Sequence, residues 1–262
     1  MSETSGTDIP VTTDQIAPEI AAELEALARR SKNARGIVMR GLGLVGSQLE
    51  HQLEKLPVSV RMQIEGATRQ GLEYASRVAW ASRRSVPDRP DWQNTAMTAA
   101  MGAAGGVGGL PTALAELPVT ITMLLRAIQG VATDLGFDTD TPLVQAQCIK
   151  VFSASGPLSD DDGADLAFLS SRVTLSGAAV HGIIARVAPK LATVLSQKLA
   201  TQAVPVLGAM AGAATNYAFT SYYQEMARVY FGLRALARDE DIPFEVLMQE
   251  FRLKMQPPKQ IG

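Results

Sequence analysis

The sequence predicts an all-α fold: a multi-helix bundle with glycine-rich, closely packed central helices and no substantial β-sheet. Three observations predict it. Apolar residues recur at three-four spacing through almost every segment, while the alternation of a half-buried strand is scarce. Stretches such as AAELEALARR are built of strong helix formers, with acids early and arginines late, as a helix dipole favours. Two long charge-free segments, Trp92 to Ala115 and Leu199 to Gln224, each carry glycines four residues apart. Small residues at that spacing share a helical face and let two backbones approach.

The elements follow in order. A first helix is expected from about Thr13 to Lys32, and a second from Ala34 to Leu56, weakened by Gly36, Gly41, Gly43 and Gly46. Pro57 restarts the chain, and Val60, Ile64, Ala67, Gly71, Tyr74, Val78 and Ala81 form one apolar stripe. RRSVPDRPDW, Arg83 to Trp92, reads as a linker with two prolines and five charges. Beyond AAMGAAGGVGGLP (Ala99 to Pro111), the stripe Leu117, Ile121, Leu124, Ile128, Val131 and Leu135 marks a helix closed by Gly136. Pro142 opens a short helix to about Ala154. An apolar pattern from about Ala164 to Ala203 is interrupted by Gly177, Gly182 and Pro189. The most regular stripe runs from Gly208 through Phe219, Tyr222, Met226 and Tyr230 to Ala237. A last helix carries Phe244, Leu247, Met248 and Phe251 on its apolar side, with Asp241 as its cap.

The domain layout expected from these signals is a disordered tail at 1–12 and an N-terminal helical portion at 13–90. A Gly/Ala-rich helical core at 91–256 and a flexible end at 257–262 complete it. The chain has 262 residues, 47% apolar and only 19% charged. Its net charge of −2 offers no bulk attraction to nucleic acid. Cys148 stands alone, which excludes an internal disulfide framework and fits a reducing compartment. The start MSETSGTDIPVTT is polar and acidic, unlike a secretory signal, so the expected location is the cytoplasm or its membrane face.

Motifs with fixed chemistry are few. The glycine-rich stretch has no following Lys-Ser/Thr and no preceding strand, so it is not a phosphate loop. It reads instead as a helix contact, with Gly105 and Gly109 pairing in style with Gly208 and Gly212. His51 and His181 are far apart and SDDDG lacks a calcium-loop alternation, so no metal site and no cofactor are expected. Polar residues inside apolar surroundings stand out: Glu116, Arg126 and Asn216, with Arg228 further along. Buried polar groups need partners. Ten helical residues separate Glu116 from Arg126, about 15 Å of rise, so the two do not pair directly on one helix. The reading is a structural polar latch of Glu116, Arg126, Asn216 and Arg228, in which Glu116 faces Asn216 or Arg228 on the later helix, or else polar solvent in a cleft. Catalytic candidates, for a hydrolase-type cleft, are Glu116, His181 and Asn216. Basic residues at Arg29, Arg30, Lys32, Arg35, Arg83 and Arg84 are candidates for touching an anionic membrane surface.

Two blocks carry a family likeness. GLPTALAELPVTITMLLRAIQGVATDLGFD (Gly109 to Asp138) and VPVLGAMAGAATNYAFTSYYQEMARVYFGLRAL (Val204 to Leu236) resemble the EcsC protein family. The matching positions are Glu116, Arg126, Gly136, Gly208, Gly212 and Asn216, and the likeness spans roughly 58–237. The resemblance implies a bacterial, mostly helical protein, and a role beside an ABC transporter at the membrane. The expectation is a non-enzymatic accessory protein, cytoplasmic or peripheral at the inner face of the cell membrane. Its expected partners are an anionic membrane surface, ABC transporter subunits or a bound lipid, with no nucleic acid. A hydrolase and a lipid or acyl-chain binder are the alternatives.

Overall fold

A computed structural model describes residues 16–43, 58–83, 93, 95–100, 109–154, 179–202 and 208–256. These residues form α1 (Pro18–Gly43), α2 (Val58–Arg83), α3 (Gly109–Asp134), α4 (Pro142–Val151), α5 (Ala179–Gln202), α6 (Gly208–Asp239) and α7 (Phe244–Met255). Residues 95–100 are also helical, and no strand occurs among the described residues. The fold is all-α.

The longest helix, α6, is the axis of the molecule and packs against α1, α3, α4, α5 and α7. Its stripe of large side chains, Phe219, Tyr222, Met226, Tyr230 and Leu233, is buried. Helix α1 lies antiparallel to it: Arg30 meets Glu225, and Leu27 meets Gly232 one turn earlier on α1 and two turns later on α6. Ile20, Leu24, Ala28, Ser31 and Ala34 are buried at three-four spacing, which forms one helical face. The expected break between Lys32 and Ala34 is absent, and α1 runs through it. Burial of one continuous face outweighs the weak helix propensity of the glycines that follow.

Helix α3 runs parallel to α6. Glu116 contacts Asn216 at one end, and Arg238 reaches Leu135 and Gly136 at the other. Its C-terminus closes as a Schellman motif: Phe137 N–H donates to Ala132 O and Gly136 N–H to Thr133 O. Gly136 takes φ +79°, the left-handed conformation that glycine adopts without a Cβ penalty. The Arg238 guanidinium donates to the carbonyls of Leu135 and Gly136 and lies over the Phe137 ring. Helix α4 starts as its sequence signals: Thr141 accepts from Val144 N–H, and Pro142 holds an early helical position.

Two expectations are corrected here. Pro189 lies inside α5 instead of breaking it, and α5 begins at Ala179; the expected start near Ala164 lies outside the described residues. Asp241 does not cap α7, whose N-cap is Pro243 without a side-chain bond. Instead Asp241 has φ 53°, and Ile242 N–H donates to Ala237 O, so Asp241 terminates α6. Two close glycine contacts stand at positions not singled out as contacts in the sequence. A Cβ on Gly71 of α2 would stand 2.7 Å from Ile121 Cδ1 and 3.3 Å from Pro118 Cα. One on Gly232 would stand 2.9 Å from Leu27 Cδ2. Gly212 is buried, Gly105 lies outside the described residues, and Gly109 and Gly208 open α3 and α6.

The expected tail at 1–12, the linker stretch at 84–92 and the end at 257–262 lie outside the described residues. Buried residues of α1 and α2 join those of the later helices in one hydrophobic cluster.

Candidate functional site

The charge-free ends of α3 and α6 meet around a polar cluster, which the helical stretch 95–100 completes. Asn216 occupies its centre with 2% of its surface exposed. Its Nδ2 donates to the Thr98 carbonyl at 2.7 Å and to Glu116 Oε1 at 3.3 Å. Both partners are acceptors, which fixes the amide orientation: a flipped Asn216 would set oxygen against oxygen. Thr120 Oγ1, one turn after Glu116, donates to the same Oε1 at 3.5 Å. On the far side of Asn216, Thr220 Oγ1 donates to the Asn216 carbonyl at 2.8 Å and shares a 2.8 Å bond with Thr98 Oγ1. Thr95 Oγ1 donates to Gln224 Oε1 at 3.2 Å. The cluster thus climbs about two turns of α6, through 216, 220 and 224, at the four-residue spacing that keeps side chains on one face.

Two atoms of this cluster are buried without a donor: Glu116 Oε2 and Asn216 Oδ1. Buried acceptors of this kind cost free energy until something donates to them.

The other residues singled out in the sequence are not gathered here. Arg126 stands half-buried ten residues along α3 from Glu116. Arg228 stands twelve residues along α6 from Asn216 and pairs with Glu225, so it is no partner of Glu116. Glu225 also holds Arg30 of α1 at 3.1 Å. Burial pushes the Glu225 carboxyl up, with Arg30 pulling the other way; burial and then Arg30 lower the Arg228 guanidinium. His181 is exposed on α5 and makes no hydrogen bond to the cluster among the described residues. Arg29 pairs with Glu25 at 3.4 Å, and Lys32 donates to the Lys254 carbonyl at 3.0 Å. The basic end of α1 is thereby tied to α6 and α7 through Arg30 and Lys32. Arg84 lies outside the described residues, as do the side-chain surroundings of Arg35 and Arg83.

A second polar group was not singled out in the sequence. Lys150 of α4 is 4% exposed, with Nζ 4.9 Å from the centre of the Tyr230 ring. The Arg234 guanidinium lies over the same ring and over Phe244. Burial, and then the Arg234 charge, lower the Lys150 ammonium to about 7. A lysine following QCI in a short helix gives no sequence signal of this, because its burial is set by α6 and not by α4.

Among the described residues, no group of three or more His, Cys, Asp or Glu stands ready to hold a metal. One helix stretch among them, Leu114–Asp134, is long and apolar enough to cross a membrane, and half of it is buried inside the protein.

Fold and site together define an all-helical protein whose central parallel helix pair is joined by a buried polar latch at its charge-free end. The chain belongs to the EcsC protein family, whose model matches residues 45–236. No curated protein and no solved structure is detectably similar.

Proposed function

We propose that this protein is a non-enzymatic accessory protein that associates peripherally with the cytoplasmic membrane face or with a transporter complex there. The observation that carries the reading is the character of the latch end. From Trp92 to Leu125 the only charged residue is Glu116, and from Leu199 to Gln224 there is none. Glu116 is hydrogen-bonded inside the protein. At the same level Val119 is 47% exposed and Tyr217 is 50% exposed. These two stretches, free of exposed charge and offering Val and Tyr, suit the boundary between water and lipid, where tyrosine is favoured and charge is costly. The charged groups Arg238 and Asp239 lie about 30 Å away along α6. The contacts in the cluster also favour a structural role over catalysis. The Thr220 hydroxyl is spent on backbone and on Thr98, and His181 is exposed on α5.

Flotation of the full chain with liposomes tests the proposal. Binding that resists a salt wash and weakens at least threefold in a Val119→Glu, Tyr217→Glu double variant is the expected result. Absence of flotation at low and high salt would overturn it.

A further inference from the structure

The two donor-less oxygens at the latch are specific about what they lack. Glu116 Oε2 and Asn216 Oδ1 are both buried acceptors, and both belong to side chains already joined through Asn216 Nδ2 and Glu116 Oε1. The donors that do reach Glu116, an amide and the Thr120 hydroxyl, are neutral. A carboxylate taken partly out of water is stabilised by a positive partner as well as by hydrogen bonds. The missing group must therefore donate, and a positive charge improves its fit.

A metal ion is poorly served. Hard cations ask for about six oxygen ligands. Here the neighbouring oxygens are occupied: the Thr98 carbonyl accepts from Asn216, and the Asn216 carbonyl accepts from Thr220. An ammonium carries three N–H donors on a compact cation. Two of them satisfy two acceptors and the third can face water. The geometry points to a binding site for a primary ammonium group, held by Glu116 Oε2 and Asn216 Oδ1. Glu116 is half-buried and its chain neighbour Ala115 is exposed, so the site lies close to the surface. The ammonium is supplied either by a free small amine or by an aminophospholipid headgroup. Only the second source rests on the membrane reading above.

Thermal unfolding of the full chain in ethylammonium chloride, tetramethylammonium chloride and sodium chloride, at equal ionic strength, tests the site. A saturable rise in Tm with ethylammonium alone is expected, because tetramethylammonium has the charge without N–H donors. Glu116→Gln keeps the shape and removes the charge, and should weaken the apparent affinity at least tenfold. Equal responses to all three salts, no response to any (an internal water only), or an unchanged response in Glu116→Gln would overturn the proposal. The three-salt comparison on the unaltered chain decides the matter even where the variant does not fold. Vesicles of phosphatidylcholine with and without phosphatidylethanolamine then separate the sources. Preferential flotation with phosphatidylethanolamine, reversed by ethylammonium, identifies the headgroup; an ethylammonium response without that preference identifies a free amine. Vesicle binding without any ethylammonium response removes this site and leaves the membrane reading standing. An ethylammonium response without vesicle binding does the reverse.

Discussion

Asn216 shows how much one side chain can carry. Its amide joins the Thr98 backbone to Glu116, and so fastens three parts of the chain at one point. Asn216→Ala removes two hydrogen bonds and leaves the Thr98 carbonyl and Glu116 Oε1 short of donors. A loss of about 2–3 kcal/mol in a urea titration is expected, since net bond loss and the desolvation of orphaned acceptors add. The pairing of Glu116 with Asn216 was legible because both interrupt charge-free helical text. Thr95, Thr98 and Thr220 were not, because threonines in apolar helices normally bond their own backbone and carry no partner signal. Lys150 yields a second expectation at this scale. Its ordinary pKa of 10.5 is lowered to about 7 in the folded protein, by burial and then by Arg234. Between those values the unfolded chain binds more protons, so stability rises with pH from about 7 upward and is flat in this respect below it. A gain of about 1–2 kcal/mol from pH 7 to pH 9 is expected, read from urea midpoints. It should vanish in Lys150→Met. Measurements stay below pH 10, where the raised pKa of buried Tyr230 acts in the opposite direction.

Within elements, the glycines separate two effects that propensity alone confounds. Gly66 and Gly71 share α2, yet a Cβ on Gly66 would meet nothing within 4 Å, whereas one on Gly71 would press on Ile121 and the Pro118 backbone. Gly66→Ala should stabilise by about 0.5–1 kcal/mol, the helix-propensity difference. Gly71→Ala should destabilise by about 1–3 kcal/mol through overpacking against buried Ile121. Chemical denaturation of the two variants gives opposite signs if α2 and α3 touch as described, and two gains if they do not. Helix ends were legible where chemistry marks them, as at Thr141–Pro142 and Gly136. They were not legible where packing overrides text: α1 passes Lys32 without a break, and α5 accommodates Pro189. Asp241 was misassigned because an acid before IPFEV resembles a helix cap. Its left-handed φ makes it the end of α6 instead. Asp241→Gly should therefore raise the melting midpoint, by an amount equivalent to about 0.5–1 kcal/mol, since glycine takes that conformation without the Cβ penalty.

Across the whole molecule, the prolines and charges of Arg83 to Trp92 suggest a joint, while the packing ties both sides together. Ile64, Leu72 and Ala75 of α2 and Leu24 and Ala28 of α1 belong to the same buried cluster as Ile121, Leu191 and Tyr230. Helix α1 lies along α6, and α2 lies between α3 and α5, so neither N-terminal helix has a buried face that the later chain does not cover. A portion ending near residue 90 would leave those faces in water, losing roughly 1.5–3 kcal/mol for each large side chain uncovered. Cooperative unfolding of the full chain follows. Trp80 belongs to the N-terminal part, a Trp92→Phe background leaves it as the sole tryptophan, and buried Tyr222, Tyr223 and Tyr230 report on α6. Tryptophan fluorescence and the near-ultraviolet tyrosine dichroism should trace one coincident urea transition. A tryptophan transition completed before the tyrosine signal moves would instead mean that α1 and α2 dock on an independently stable core. Deleting α1 gives the same answer by another route: loss of the tyrosine signal is expected, because Tyr230 and Leu233 share α6 with the surface that Leu24, Leu27 and Ala28 cover.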